Sequence, residues 1–202
     1  MKTPLIMAVL CLLISACVSS PPQQVSNICS IFDEKSRWYK KAKKSEKRWG
    51  SPIPTMMAIM HQESRFRAKA KPPRTKILWI IPGPRKSDAY GYPQAKDSTW
   101  DWYKKSSGNR GADRDDFGDA IDFIGWYNVQ TNKRNRVSLY NTRNLYLAYH
   151  EGHGGYARGT YRKKGWLVNV ADKVDRRAAI YKKQLQSCEK RLNRRGFSLW
   201  PF

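Results

Sequence analysis

Apolar residues recur every three or four positions through most of the chain, and that period predicts helices. The spacing places a first helix over 29–48, with Asp33 and Glu34 near its start and basic residues toward its end, which suits the helix dipole. "GSPIP" at 50–54 breaks it, and a second helix follows over 54–66 with Pro54 in its first turn. Further helices are expected over 96–106, 115–133, 141–152 and 169–192. In the fourth of these six, Phe117, Ile121, Ile124 and Tyr127 or Asn128 form the inner stripe. In the next, Leu145, Ala148 and Tyr149 share a side and Gly152 marks the end. Between 67 and 93 the segments "KPPR", "IPGPR" and "YGYP" exclude regular helix. "TKILWII" at 75–81 is the one strand-like run there, half of a small hairpin. The fold class is mainly α, with loops expected over 67–95 and 151–166.

One position breaks the apolar pattern. In "MMAIMHQESRF" (56–66), Glu63 falls on the same helical face as Met56, Ile59 and Met60. A carboxyl group in apolar surroundings has a raised pKa, because burial disfavours its charged form. A protonated glutamic acid near neutral pH is what glycosidic-bond cleavage requires. A buried hydrogen-bonding role, or pairing with Arg65 or Arg67, fits the same pattern.

The chain ends and charge add context. Residues 1–16 read as a secretion signal, with Lys2 ahead of a short apolar run, "PLIMAVLCLLISA". Small residues before Cys17 resemble a bacterial lipobox, in which that cysteine carries the lipid; Val18 after it matches outer-membrane sorting. An ordinary signal peptide with an incidental cysteine is the alternative. Residues 18–26 then read as a tether, and 29–202 as one domain. With Cys11 in the signal, Cys29 and Cys188 remain, and in an oxidising compartment they form a disulfide or else stay as buried thiols. The formal net charge is +23, concentrated at 35–48 and 176–195. In an exported protein such charge meets anionic headgroups, wall polymers or lipopolysaccharide, or is a solvated face; nucleic acid is not the expected partner. Three scattered histidines and two cysteines offer no metal-ligand spacing, so neither metal nor cofactor is expected.

Three stretches occur in order: "HQESRF" (61–66), "AYGYPQAKDSTW" (89–100) and "AYHEGHGGYARG" (148–159). Together they resemble the catalytic domain of lytic transglycosylases of the soluble-lytic-transglycosylase type, over roughly residues 52–162. The resemblance implies a lysozyme-like helical fold acting on peptidoglycan glycan strands. It implies Glu63 as catalytic acid/base, with Ser64 as the serine that follows it. Gly91 and Gln94 correspond to the ends of a cleft-lining Gly-x-x-Gln element. Ala148 and Tyr149 correspond to an Ala-Tyr pair whose tyrosine points at the catalytic carboxyl, and Gly152, Gly154 and Gly155 to a glycine-rich turn. Tyr92, His150 and Glu151, inside the same motifs, complete the expected substrate-binding set. Tyr92-Pro93 and His150 depart from the family's usual residues, and 71–85 looks like an insertion.

The family mechanism needs one carboxyl group. Glu63 would protonate the oxygen between N-acetylmuramic acid and N-acetylglucosamine, then take a proton from the muramoyl 6-hydroxyl as it closes a 1,6-anhydro ring. Two-carboxylate glycosidases offer a rival scheme. Asp88, Asp97, Asp101 and Glu151 are its candidates, each also suited to a cap, turn or surface role. Trp79, Tyr90, Tyr92, Tyr149, Tyr156 and Tyr161 are candidates to stack on sugar faces, or else pack in the core. His61 reads as an oriented helix residue; His150 and His153 flank the third motif. A lysozyme-type hydrolase and a non-catalytic envelope-binding lipoprotein remain as competing readings.

Overall fold

The computed structural model of the chain describes residues 20–77 and 81–195. The expected signal segment, the lipid-bearing Cys17 and Trp79 lie outside the described residues. Among those described there are seven α-helices and a single two-stranded sheet. The fold is mainly α, the lysozyme-like helical domain with a small hairpin that the sequence implies.

The first expected helix is two. α1 (Ile28–Glu34) is capped by Asn27, whose side chain accepts hydrogen bonds from the Cys29 and Ser30 amides. The chain breaks at Lys35 and α2 (Ser36–Trp49) sets off anew. One straight helix would serve one neighbour, whereas these two serve different ones. α3 (Ile53–Ser64) follows, with Pro54 in its first turn as expected. The hairpin pairs β1 (Arg74–Ile77) with β2 (Ile81–Arg85), antiparallel, Arg74 opposite Arg85. α4 (Asp97–Ser107), α5 (Phe117–Asn135), α6 (Thr142–Ala157) and α7 (Gly165–Arg195) complete the order, with a 3-10 turn at Thr160–Lys163. α1 is bonded to α7 through the Cys29–Cys188 disulfide, so the pairing is with each other and not two free thiols. α2 lies close on α5 where Gly125 leaves room: a Cβ there would stand 2.7 Å from Ser45 Oγ.

α3 is the central helix. Every residue from Ile53 to Met60 is buried, so it has no solvent face along its first two turns. The stripe of Met56, Ile59 and Met60 was therefore only part of its apolar surface. The core cluster runs from Ile28 to Leu192, with Trp38 stacked on Phe117 at 3.9 Å between ring centroids. At the other side of the core Asp122 receives hydrogen bonds from Arg48, Trp49 and Tyr103, all between 2.8 and 2.9 Å. That network satisfies a buried carboxylate on an otherwise apolar helix face. The expected 151–166 loop is mostly helical. Gly152 (φ 74°, ψ 159°) kinks α6 where an end was expected, and helical turns resume to Ala157.

Candidate active site

Glu63 projects from the last turn of α3. The helix stops because Arg65 and Phe66 both turn left-handed, at φ 50° and 59°. Each such non-glycine residue costs about 1 kcal/mol or more, and persists where packing over-determines it. Here Phe66 is fully buried and tilts against Trp38 at 6.0 Å. The chain then passes Ala70, whose carbonyl oxygen ties the next motif to this one. It accepts from the Gly91 amide and from Gln94 Nε2, both at 2.9 Å. Gln94 Nε2 also donates to the Gly91 carbonyl at 2.9 Å, closing the 91–94 turn on itself. Gly91 sits at φ 78°, and a Cβ there would lie 2.2 Å from the Arg114 carbonyl oxygen. Glycine is required at that point by both backbone and space.

α6 supplies the opposite wall. Tyr149 donates its hydroxyl proton to the Pro93 carbonyl at 2.6 Å, bridging the second and third motifs. Its ring meets Tyr127 of α5 edge-on at 5.1 Å. The result is a cleft of about 380 Å³ lined by Glu63, Gln94, Tyr149, His150 and Glu151, together with Thr99, Lys96, Phe123 and Tyr127.

Burial is the main influence on Glu63 and pushes its pKa up to about 7, although the side chain keeps some solvent contact through the cleft. A hydrogen bond from Tyr146 opposes it to a smaller degree by favouring the charged form. Burial likewise drives Tyr146 and Tyr149 far above the usual phenol range, and the Glu63 charge adds to both. These tyrosines stay protonated beside the carboxyl across the physiological range.

Glu151 is the other carboxyl in the cleft lining, and its state is the reverse. Burial alone would raise its pKa. Hydrogen bonds from Lys164, Thr160 and His150, with the Lys164 charge, hold it down at about 2. Lys164 Nζ reaches its two oxygens at 2.8 and 3.0 Å, and His150 Nδ1 lies 3.1 Å from Oε1. The other carboxylates considered from sequence sit elsewhere. Asp97 pairs with Arg114 at 2.6 Å, Asp101 with Lys104 at 3.0 Å, and Asp88 accepts from the Asp97 amide at 3.2 Å.

Three expected site residues are not cleft-lining. Ser64 is buried and donates to the Met60 carbonyl at 3.2 Å. Gly91 shapes the turn from behind. Tyr92 is buried in the core, edge-on to Trp38 at 5.7 Å and to Phe117 at 6.1 Å. Of the described aromatics proposed for sugar stacking, Tyr149 lines this cleft. Tyr90 hydrogen-bonds Asp115 at 3.0 Å outside it, and Tyr156 and Tyr161 stack on each other at 5.3 Å. His153 stacks behind Tyr127 at 4.4 Å, where burial lowers its pKa to about 4. His61 points into a different groove. Tyr146, Phe123 and Tyr127 were not expected at the site. Tyr146 precedes Tyr149 by three positions, a spacing that shares a helix face and would have found it. Among the described residues no three His, Cys, Asp or Glu side chains gather as metal ligands, and no helix is long and apolar enough to cross a membrane.

Comparison with known proteins adds one match. No curated protein and no solved structure matches the chain. A family model described as the transglycosylase SLT domain does, over residues 5–188. With nearly the whole described chain matched and a buried glutamic acid at its cleft, this protein belongs to the transglycosylase SLT domain family, the lytic-transglycosylase type of enzyme acting on peptidoglycan.

Proposed function

We propose that the protein cleaves the β-1,4 bond between N-acetylmuramic acid and N-acetylglucosamine, leaving a 1,6-anhydromuramoyl end, with Glu63 as acid and then base. The observation that carries this reading is that of the two carboxyls lining the cleft, Glu151 is ion-paired to Lys164 at 2.8 Å, whereas Glu63 has no ion pair among the described residues. Protonated Glu63 gives its proton to the glycosidic oxygen as the C1–O bond breaks, and the N-acetylglucosamine end departs as an alcohol. The electron-poor C1 is met by the muramoyl 6-hydroxyl, whose proton passes to the Glu63 carboxylate. The acid is restored and no water is consumed. Substrate contacts come from Gln94, Tyr149, His150 and the other lining residues. Phenol-bearing Tyr149 and Tyr127 offer apolar ring surface to a sugar.

The setting is the bacterial envelope. The signal-like residues 1–16 and Cys17 support export, lipidation and an outer-membrane location facing the periplasm, with a basic surface that retains the protein near anionic polymers.

Mass spectrometry of products released from purified sacculi tests the chemistry. Wild type should yield anhydromuramoyl ends, lighter by one water than hydrolysed ends, and Glu63→Gln should yield none. Reducing ends would instead establish a hydrolase. No product from folded wild-type protein would point to a binding protein.

A further inference from the structure

A second groove, of about 520 Å³, lies between α3 and α7 on the side of α3 away from Glu63. Its lining includes Arg65, Lys173, Arg176 and Arg177, with no carboxylate among the lining residues. None of these four cations has an ion pair among the described residues, although ten pairs of a Lys or Arg with a carboxylate form elsewhere, so their charge is left for an outside partner. His61 lines the same groove, and its buried Nδ1 has no hydrogen-bond partner. Burial first, then the nearby Arg177 and Arg65 charges, lowers the His61 pKa to about 4, which keeps the ring neutral and marks how these guanidinium groups converge. Three guanidinium forks and an ammonium around one concavity suit phosphate oxygens.

The exposed face of α7 carries apolar as well as basic side chains: Ile180 lines the groove, and Trp166 stands near the start of α7, edge-on to His150 of the cleft at 5.3 Å. Trp166, Lys173, Arg176, Ile180 and Lys183 follow one another at spacings of seven, three, four and three, which places them on one face of α7. Trp166 is 58% exposed and Ile180 53%, two of the three large hydrophobic side chains described as exposed. A free phosphate gains nothing from these two side chains. A leaflet of anionic lipid gains from both kinds of group. The segment ahead of α1 packs against α7 and the stretch that follows α3. Val25 accepts a hydrogen bond from the Tyr181 hydroxyl, Arg177 lies 5.8 Å from the Tyr181 ring centroid, and Ser20 and Pro21 share a small pocket with Arg67–Lys71.

We propose that the α3–α7 groove and the exposed face of α7 form a membrane-docking surface that takes the headgroup phosphates of an anionic lipid leaflet. The inference rests on the envelope-tethered reading for its setting, but needs neither the lipid on Cys17 nor turnover. The groove holds headgroup phosphates between its guanidinium groups, and Trp166 and Ile180 enter the headgroup layer.

The test uses the chain from Ser20 onward, which carries the whole core and the disulfide but no lipid. Flotation with phosphatidylglycerol-containing vesicles is compared with flotation on pure phosphatidylcholine. Binding to the anionic vesicles alone is expected. Lys173→Glu/Arg176→Glu/Lys183→Glu should weaken it by at least roughly 100-fold, since each basic residue near such a surface contributes about fivefold and each introduced carboxylate is repelled. Lys40→Glu/Lys44→Glu/Lys47→Glu removes equal charge from the exposed face of α2 and should leave binding nearly intact. Trp166→Ser/Ile180→Ser should weaken binding without altering its dependence on lipid charge. Equal losses from the two charge-reversal variants would overturn the proposal, because net charge alone would then explain attraction. So would displacement by inorganic phosphate beyond that by chloride of equal ionic strength, which would assign the groove to free phosphate. Glu63→Gln should float like wild type, and Lys173→Glu/Arg176→Glu/Lys183→Glu should still release products from membrane-free sacculi. Failure of docking and failure of the catalytic reading are thereby separate results.

Discussion

Lys164 Nζ stands 2.8 Å from Glu151 Oε1, so the second carboxyl group of the cleft is an anion already matched by a cation. An acid held at about pKa 2 has no proton to give near neutrality. Glu151→Gln should therefore keep glycan cleavage to within about tenfold of wild type, whereas Glu63→Gln should lose about a thousandfold or more. Product release from sacculi measures both. If Glu151→Gln were as inactive as Glu63→Gln, two carboxylates would share the chemistry. Glu151→Gln should also lower stability by about 1 kcal/mol, a figure discounted because Lys164 is 41% exposed. Native Glu151 lies below its unfolded value, so this contribution is present above the ordinary carboxylate pKa of 4.5 and is lost as pH falls from there toward 2.

Glu63 has the opposite sign. Its folded value of about 7 lies above the ordinary 4.5, so the folded protein holds a proton that the unfolded chain has released between those values. Wild-type stability should fall as pH rises from 4.5 to 7 and then level off. Glu63→Gln removes this dependence and should be more stable than wild type above pH 7, on the order of 2 kcal/mol after allowing for solvent in the cleft. Denaturant melts of both proteins at several pH values decide it. Activity should decline as pH rises through about 7, since the first step needs the protonated acid.

Tyr146 sets where that decline falls. Its hydroxyl hydrogen bond favours the charged Glu63, so Tyr146→Phe should raise the Glu63 pKa further. The alkaline limb of the pH–rate profile should then move to higher pH, with the ring's packing kept. An unmoved limb with a lower maximal rate would mean that Tyr146 acts only as packing.

The Cys29–Cys188 bond joins residues 159 apart in sequence. In the chain-entropy model a loop of that length contributes about 4–5 kcal/mol by restricting the unfolded chain. Cys29→Ala/Cys188→Ala should lower stability by up to that amount, read from denaturant midpoints. Cleavage at low temperature should persist, because neither cysteine touches the cleft.

Helix positions were legible because the apolar period is strong, and Glu63 was legible because it interrupts that period. What the period does not carry is the side of a helix on which a cleft opens. Tyr127 reads as core from the stripe on α5, and Phe123 lies off that stripe, yet both are buried in the core and line the cleft. Tyr92 reads as a cleft residue from its motif, yet the turn at Gly91 rotates it inward onto Trp38 and Phe117. The break at Lys35 was hidden for a related reason. Residues on both sides of it favour helix, and the break answers to tertiary neighbours, α7 for α1 and α5 for α2. Glu151 lay inside a motif, but its neutralising Lys164 lies thirteen positions later, across a 3-10 turn that no motif announces.

Gly91 links the sequence motif most directly to the geometry of the site. Its amide and carbonyl both hold the turn that positions Gln94, through Ala70 and through the Gln94 side chain. Gly91→Ala would add a Cβ at 2.2 Å from a backbone oxygen, in a left-handed conformation that alanine resists. The Arg114 carbonyl cannot retreat freely, because it accepts from the Tyr92 amide at 3.0 Å. The turn must therefore open, at a cost of about 2 kcal/mol or more. Opening it withdraws Gln94 from the cleft wall and loosens the Tyr149–Pro93 bridge, while Glu63 itself stays on α3. The expected signature is a large loss of glycan cleavage with the Glu63-dependent slope of stability against pH retained. Denaturant melts and sacculus digestion of the same preparation read both. A fully active Gly91→Ala protein would show that the 91–94 turn does not position the substrate.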